Sequence, residues 1–376
     1  MSDWSIELDF LVRKLGLGAA NAVRAIGSAM DDDPFEILCY RGYGNAVQAH
    51  VYGRVVRKIG ASASTEKDSV ITNLLNTYRR ADADPVARAQ VDVEFATAKS
   101  AMAADGEGYF GGWLKSEPPD LKAEWHEYKT GMKLLSGDAE TISGSGEIMI
   151  PPQSARFAVI SDIDDTVIQS RVSNFIQAAR TVMLGNARTR LPFHGVAAFY
   201  RALRSGVTGE ENNPVFYVSS SPWNIYDVIA EFMQLQNIPK GPLLLRDWDI
   251  SLNALKSDRH FEHKGVAIRN VIQLYPHLQF VLIGDTSQHD PEIYRRIVAE
   301  FPDRIFAIYI RDVTRSPERA ASVKKLADEV VEARSMLVLS EDTLGAARHA
   351  AEHGLISEDK LAEIGDEKRA DEGSTA

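Results

Sequence analysis

A chain of 376 residues with 44% hydrophobic and 25% charged residues has ordinary globular composition and the length for two or three domains. Its formal charge of −11 excludes a protein whose main partner is a nucleic-acid backbone, because such binders carry a basic face, although a local patch can still meet a membrane surface. The single cysteine, Cys39, closes no intramolecular disulfide, the first residues lack a basic and apolar leader, and no apolar run reaches spanning length. A cytoplasmic protein, soluble or peripheral to a membrane, is therefore expected.

Within residues 1–33, Ile6, Phe10, Leu11, Leu15, Leu17, Val23 and Ile26 recur at roughly helical spacing and predict an amphipathic helix. With Arg13, Lys14 and Arg24 as its bases, packing on its own protein is favoured over a membrane surface. Residues 34–152 change to short β-like runs at 35–40, 47–56, 91–95, 108–114, 126–132 and 147–150, interrupted by a helical segment near 70–80. They predict a small β-sandwich-like domain with Tyr109, Trp125 and Tyr128 in its core and a hairpin turn at 104–108. After Pro151 and Pro152 the pattern alternates strand and helix, with strands at 157–160, 215–218, 243–245, 280–283 and 305–310. Residues 153–345 thus read as an α/β domain with a parallel sheet. Beyond Arg311 the chain reads as mostly helical, apart from a short apolar run at 336–339. Residues 346–376 form a helical extension whose charged end, from Asp366, is expected to be disordered.

The chemistry concentrates where these strands end. The run Phe157-Ala-Val-Ile-Ser-Asp162-Ile-Asp164-Asp165-Thr166 puts two carboxylates two residues apart at the close of a buried strand. In a parallel sheet that end is the ligand crevice, and residues two apart on an extended chain face one way. A second strand ends in Gly284-Asp285, which can project into the same crevice. Three converging carboxylates, Asp162, Asp164 and Asp285, require a hard divalent cation, for which Mg²⁺ is the expected ion. Val215-Phe-Tyr-Val-Ser219-Ser220-Ser221 offers hydroxyls and N–H groups at a strand-to-helix turn, so that Ser219 or Ser220, with Thr166, can hold phosphate oxygens. Lys264, in His263-Lys264-Gly265 at a helix opening, supplies a compact cation. Phosphoryl transfer needs in-line placement and charge neutralisation. On that demand Asp162 would attack phosphorus while Asp164 protonates the leaving oxygen and then activates water.

Bland readings weigh against each motif alone. D-x-D and Gly-Asp are ordinary turn chemistry, and an EF-hand loop is excluded because Thr166 and Val167 stand where it needs an Asx oxygen and a glycine. His260 and His263 are spaced H-x-x-H without a third ligand, so they read as loop or surface histidines. Asp290 reads either as a supporting acid or as a helix N-terminal acid before Pro291.

The four motifs in this order resemble the haloacid dehalogenase (HAD) superfamily of aspartyl phosphatases. The strings 158–167, 216–224 and 282–292 resemble a narrower group, the phosphatidate phosphatases of the actin-patch-protein type, with the resemblance running from Gly146 to Asp312. It implies a Rossmann-like, HAD-like sheet, Asp162 as nucleophile, Asp164 as acid/base, and Ser219 and Lys264 on the phosphate. It also implies Asp162, Asp164 and Asp285 at Mg²⁺ and a lipid phosphate as substrate. The segments at 175–184 and 195–204 are taken up by the sheet's own packing and leave little for a lid. An open site is expected, suited to a bulky or membrane-embedded phosphomonoester. A soluble sugar, nucleotide or protein phosphate is the alternative substrate, and a non-catalytic interaction protein is the rival class.

Overall fold

Alternating apolar residues and close glycine contacts bend the first half of the chain into one curled sheet. In the computed structural model, which describes residues 35–57, 83–117, 120, 122–133, 141–163, 194–246, 257–287, 289–313, 316–332 and 335–373, its strands are β1 (Phe35–Cys39), β2 (Gly42–Gly44), β3 (Gln48–Arg57), β4 (Gln90–Phe95), β5 (Ala98–Ala103), β6 (Tyr109–Lys115), β7 (Trp125–Lys133) and β8 (Thr141–Met149). They form one sheet in the order β1-β3-β2-β8-β7-β4-β5, with β6 on β3. The expected sandwich of two facing sheets is thus one hydrogen-bonded sheet whose inner residues, among them Val51, Val91, Val93, Phe110, Tyr128 and Ile148, share a single core. The turn at 104–108 is also not a hairpin, because β6 pairs with β3 rather than with β5. Two strands escaped the sequence reading for physical reasons. β5 buries Met102 alone and is recruited by pairing with β4, while β2 is a Gly-Tyr-Gly strand in which a Cβ on Gly42 would lie 2.2 Å from the His50 carbonyl. The helices predicted in 1–33 and near 70–80 and 175–184 lie outside the described residues.

The second sheet is built from β9 (Phe157–Asp162), β10 (Val215–Pro222), β11 (Leu243–Arg246), β12 (Gln279–Asp285), β13 (Ile305–Arg311) and β14 (Met336–Ser340), all parallel, in the order β11-β10-β9-β12-β13-β14. The short apolar run at 336–339 is thus the sixth strand. Burial on both faces explains the near-continuous apolar strands. On one face Val159, Tyr217 and Ile283 pack with α1 (Val196–Ser205), α2 (Tyr226–Leu235), α6 (Thr343–Glu352) and α7 (Lys360–Gly373). On the other, Ile160, Phe216 and Leu282 pack with α3 (Ser257–Leu274), α4 (Asp290–Glu300) and α5 (Pro317–Glu332). Counted along the chain this is a 3-2-1-4-5-6 doubly wound sheet, in which the strand order reverses between β9 and β12.

Three expectations change here. The boundary at 345/346 falls inside α6, and the tail expected to be disordered from Asp366 is helical through Gly373. Glu367 and Asp371 of α7 accept from Ala198 N and Gly195 N, the unsatisfied donors at the start of α1, so the acidic end is ordered by another helix's dipole. Third, the change of architecture near 152 does not isolate the two sheets, which share packing besides the β sheet's own core. Leu38, Tyr40, Val56 and Tyr109 belong to the same apolar cluster as Trp223 and Tyr226, and Arg204 of α1 makes a bidentate pair with Glu124 at 2.7 and 2.5 Å. Among the described residues no helix is long and apolar enough to cross a membrane.

Candidate active site

Where the strand order reverses, the crossovers on either side diverge and leave the carboxyl ends of β9 and β12 open to a ligand. Ser161 pairs in register with Ile283, so Asp162 and Asp285 leave adjacent strands at one edge. On the other side of β9, Val218 is the register partner of Asp162, and the buried Ser219 follows it. Ser221 N donates to Ser219 Oγ at 2.9 Å, a local turn within the end of β10, where pairing with β11 slips between Val218 and Pro222. This turn carries the half-buried Ser220.

Lys264 reaches this edge from α3. It stands inside that helix rather than at its opening, since α3 begins seven residues earlier at Ser257. The residue is only 3% exposed, and its ammonium lies 2.6 Å from Asp162 Oδ1 and donates to Asp290 Oδ1 at 3.0 Å. Asp290 opens α4, just ahead of Pro291, and its second oxygen accepts from Asp285 N at 3.2 Å. Gly284 permits this: a Cβ there would sit 2.6 Å from Asp290 Oδ2 and 2.8 Å from its Cβ. Asp285 Oδ1 accepts from both the N and the Oγ of Ser287 at 2.6 Å.

Asp162, Asp285 and Asp290 are all buried, and one oxygen from each can be chosen so that the three lie within 4.8 Å of one another. Three buried carboxylates beside one buried ammonium concentrate negative charge among the described residues, which a divalent cation would offset. The donor set, hard carboxylate oxygens alone, fits a metal such as Mg²⁺ and suits no soft ion. The expected ligands Asp162 and Asp285 therefore stand together, Asp290 joins them, and Asp164 and Thr166 lie outside the described residues. His263 is half-buried on α3, and the His260 side chain is not described.

Sequence reasoning missed the supports. Asp290 was legible as an acid at a helix start, but its contact with Lys264 depends on α3 and α4 lying side by side. Tyr200, fully buried on α1, meets Ser161 Oγ at 2.6 Å, and that hydroxyl donates to the Asp162 carbonyl. Arg319 of α5 donates to the Thr286 carbonyl at 3.2 Å and is held by Glu292 of α4, while Thr286 Oγ1 donates to Asp312 and accepts from Val313 N. Burial pushes the Glu292 carboxyl up, but the Arg319 hydrogen bonds outweigh it and hold the group below the usual carboxylate range. No local motif marks Arg319, which matters only because α4 and α5 pack together.

Fold and site define a parallel α/β domain with an acid–lysine centre at its switch point. Residues 157–312 match the family model described as "Phosphatidate phosphatase APP1, catalytic domain". Phosphatidate phosphatase APP1 of Saccharomyces cerevisiae is 29% identical over 159 residues, 42% of this chain and 26% of the yeast protein. The Uncharacterized protein C29B5.04c of Schizosaccharomyces pombe is 31% identical over 158 residues, 42% of this chain and 25% of that protein. The match thus spans about a quarter of either relative's length. Among solved structures, the Ruminococcus gnavus beta-glucuronidase aligns at 9% identity over 82% of this chain and 61% of that chain, with a TM-score of 0.24, a likeness that carries no argument about fold.

Proposed function

We propose that this protein is a Mg²⁺-dependent phosphomonoester hydrolase with a HAD-like, Rossmann-like catalytic domain spanning about residues 153–345, acting on phosphatidate or a related lipid phosphate. The supporting observation is the burial of Asp162 against Lys264 at the switch point, with Asp285 and Asp290 beside them. The likeness of residues 157–312 to a phosphatidate phosphatase catalytic domain supports the substrate class. A large lid has no place in this reading, and an open crevice suits a phosphate presented at a membrane surface.

In this mechanism an Asp162 carboxylate oxygen attacks phosphorus, and the bond from phosphorus to the ester oxygen breaks. Asp164 gives its proton to the departing alkoxide, which leaves as diacylglycerol. Asp164 then takes a proton from water, whose oxygen attacks the aspartyl-phosphate and releases inorganic phosphate and free Asp162. Lys264 neutralises charge on the nucleophile and the transferring group, while Thr166 and Ser219 or Ser220 hold phosphate oxygens. Asp162, Asp285 and Asp290, with Asp164, would hold the cation, which when bound screens the repulsion between the attacking carboxylate and the phosphate.

Beryllium fluoride trapping in Mg²⁺ tests the chemistry: wild type should form a complex on Asp162, and Asp162→Asn should form none. Turnover by Asp162→Asn above about a tenth of wild type would contradict the nucleophile assignment. Phosphatidate vesicles set against a panel of soluble sugar, nucleotide and protein phosphates test the substrate, and hydrolysis confined to the soluble panel would reject the lipid.

A further inference from the structure

Trp223 follows Ser219-Ser220-Ser221-Pro222 at the turn into α2, yet it is only 8% exposed. Much of its cover comes from the other sheet. Tyr40 stacks on the indole with centroids 5.2 Å apart and planes 16° apart, and Tyr52 lies 4.4 Å away at 40°. Tyr226, on the same side as the indole, meets Trp223 at 6.0 Å and Tyr40 at 4.3 Å, and its hydroxyl accepts from Arg41 N at 2.9 Å. The two clasping tyrosines are themselves tied together. The fully buried Tyr128 shares its hydroxyl proton between the Tyr40 and Tyr52 carbonyls, at 2.8 and 3.1 Å. Behind Tyr52 the ring of Tyr109 stacks at 5.8 Å, and the buried Arg54 guanidinium lies over Tyr109 at 5.0 Å.

A turn that holds an anion through hydroxyls and N–H groups binds best if those groups are ordered before the anion arrives, because ordering them on binding subtracts from affinity. The turn's own hydrogen bond, Ser221 N to Ser219 Oγ, is local. The rigid object next to it is the aromatic clasp. We infer that the curled β sheet is a positioning device for the catalytic domain: Tyr40 and Tyr52 grip Trp223 and, through Pro222, hold the Ser219–Ser221 turn in its anion-binding form. That the anion is a phosphate rests on the function proposed above. Tyr40, Tyr52 and Trp223 are positioning residues that act through the turn.

Tyr52→Leu tests the clasp, because Tyr52 is half-buried and the backbone of β3 pairs with β1 and β6 whatever ring it carries. Two readouts separate the inference from the proposed function. In ligand-free protein, hydrogen exchange at amides 219–221 should quicken about tenfold in Tyr52→Leu and stay near wild type in Tyr52→Phe, which keeps the ring. Calorimetric titration with inorganic phosphate in Mg²⁺ should show about tenfold weaker binding by Tyr52→Leu, with KM raised to match and kcat changed by less than about twofold. Should Tyr52→Leu not fold, Trp223→Phe, which withdraws part of the gripped surface, carries the same two measurements. Unchanged exchange in a folded variant overturns the clasp. Quickened exchange together with no phosphate binding by wild type overturns the phosphatase reading and leaves the clasp standing.

Discussion

Replacing Lys264 with methionine keeps a stem of similar length and removes the ammonium that lies 2.6 Å from Asp162 and 3.0 Å from Asp290. The buried Asp162 and Asp290 then lose the ammonium that touches both, with Asp285 beside them. Breaking a buried ion pair by removing one partner costs about 3–5 kcal/mol, because the other charge stays desolvated and unpaired. At about 2–4 °C per kcal/mol for a unit of this size, Lys264→Met should melt roughly 6–20 °C below wild type in EDTA. Mg²⁺ should recover part of that loss, and recover more in the variant than in wild type, because the variant holds an extra uncompensated negative charge. Hydrolysis should fall by about 10²- to 10³-fold, the usual loss for one preorganised charge-stabilising group. Scanning fluorimetry with EDTA or Mg²⁺, beside phosphate release from vesicles, measures all three. A variant melting within about 2 °C of wild type in EDTA would show that the carboxylates are not coupled through Lys264, and the charge argument would fail.

Gly284→Ala should displace Asp290, since the new Cβ would lie within 2.6 Å of its carboxylate. Mg²⁺ affinity by titration should drop at least about tenfold, and wild-type affinity would remove Asp290 from the site. In wild type, EDTA should lower the melting temperature, and Mg²⁺ at a hundredfold excess over its Kd should add back about 2.7 kcal/mol; no shift would mean no bound ion. Arg319→Gln should loosen the Asp285 turn and destabilise the fold by about 1 kcal/mol or less, because the pair with Glu292 is part-exposed. Glu292 is held below its ordinary pKa, so its contribution is present above the unfolded value near ~4.3 and is lost as pH falls through the lower folded one. The gap between wild type and Arg319→Gln should close in melts below about pH 4, and a gap that widens there would reverse the sign of the argument.

Much of the centre was written in chain order. Apolar runs ending in Asp162 and in Gly284-Asp285 announce buried parallel strands with carboxylates at their ligand ends, since period and burial are local properties of the residues themselves. The rest depends on which strands become neighbours. Reversal of order between β9 and β12 brings Asp162 and Asp285 together, and the packing of α3 beside α4 lets Lys264 reach Asp290. The acidic end of the chain carries every compositional sign of disorder, yet Glu367 and Asp371 find the first-turn amides of α1 and are held in a helix. Likewise Tyr40 and Tyr52 lie in the predicted β runs at 35–40 and 47–56, and only docking brings them against Trp223 beside the other sheet. Sequence by itself determined the chemical groups and the elements that carry them, because propensity and periodicity act over a few residues. Tertiary structure decided which groups meet, because partners more than a hundred residues apart are chosen by the burial of whole faces.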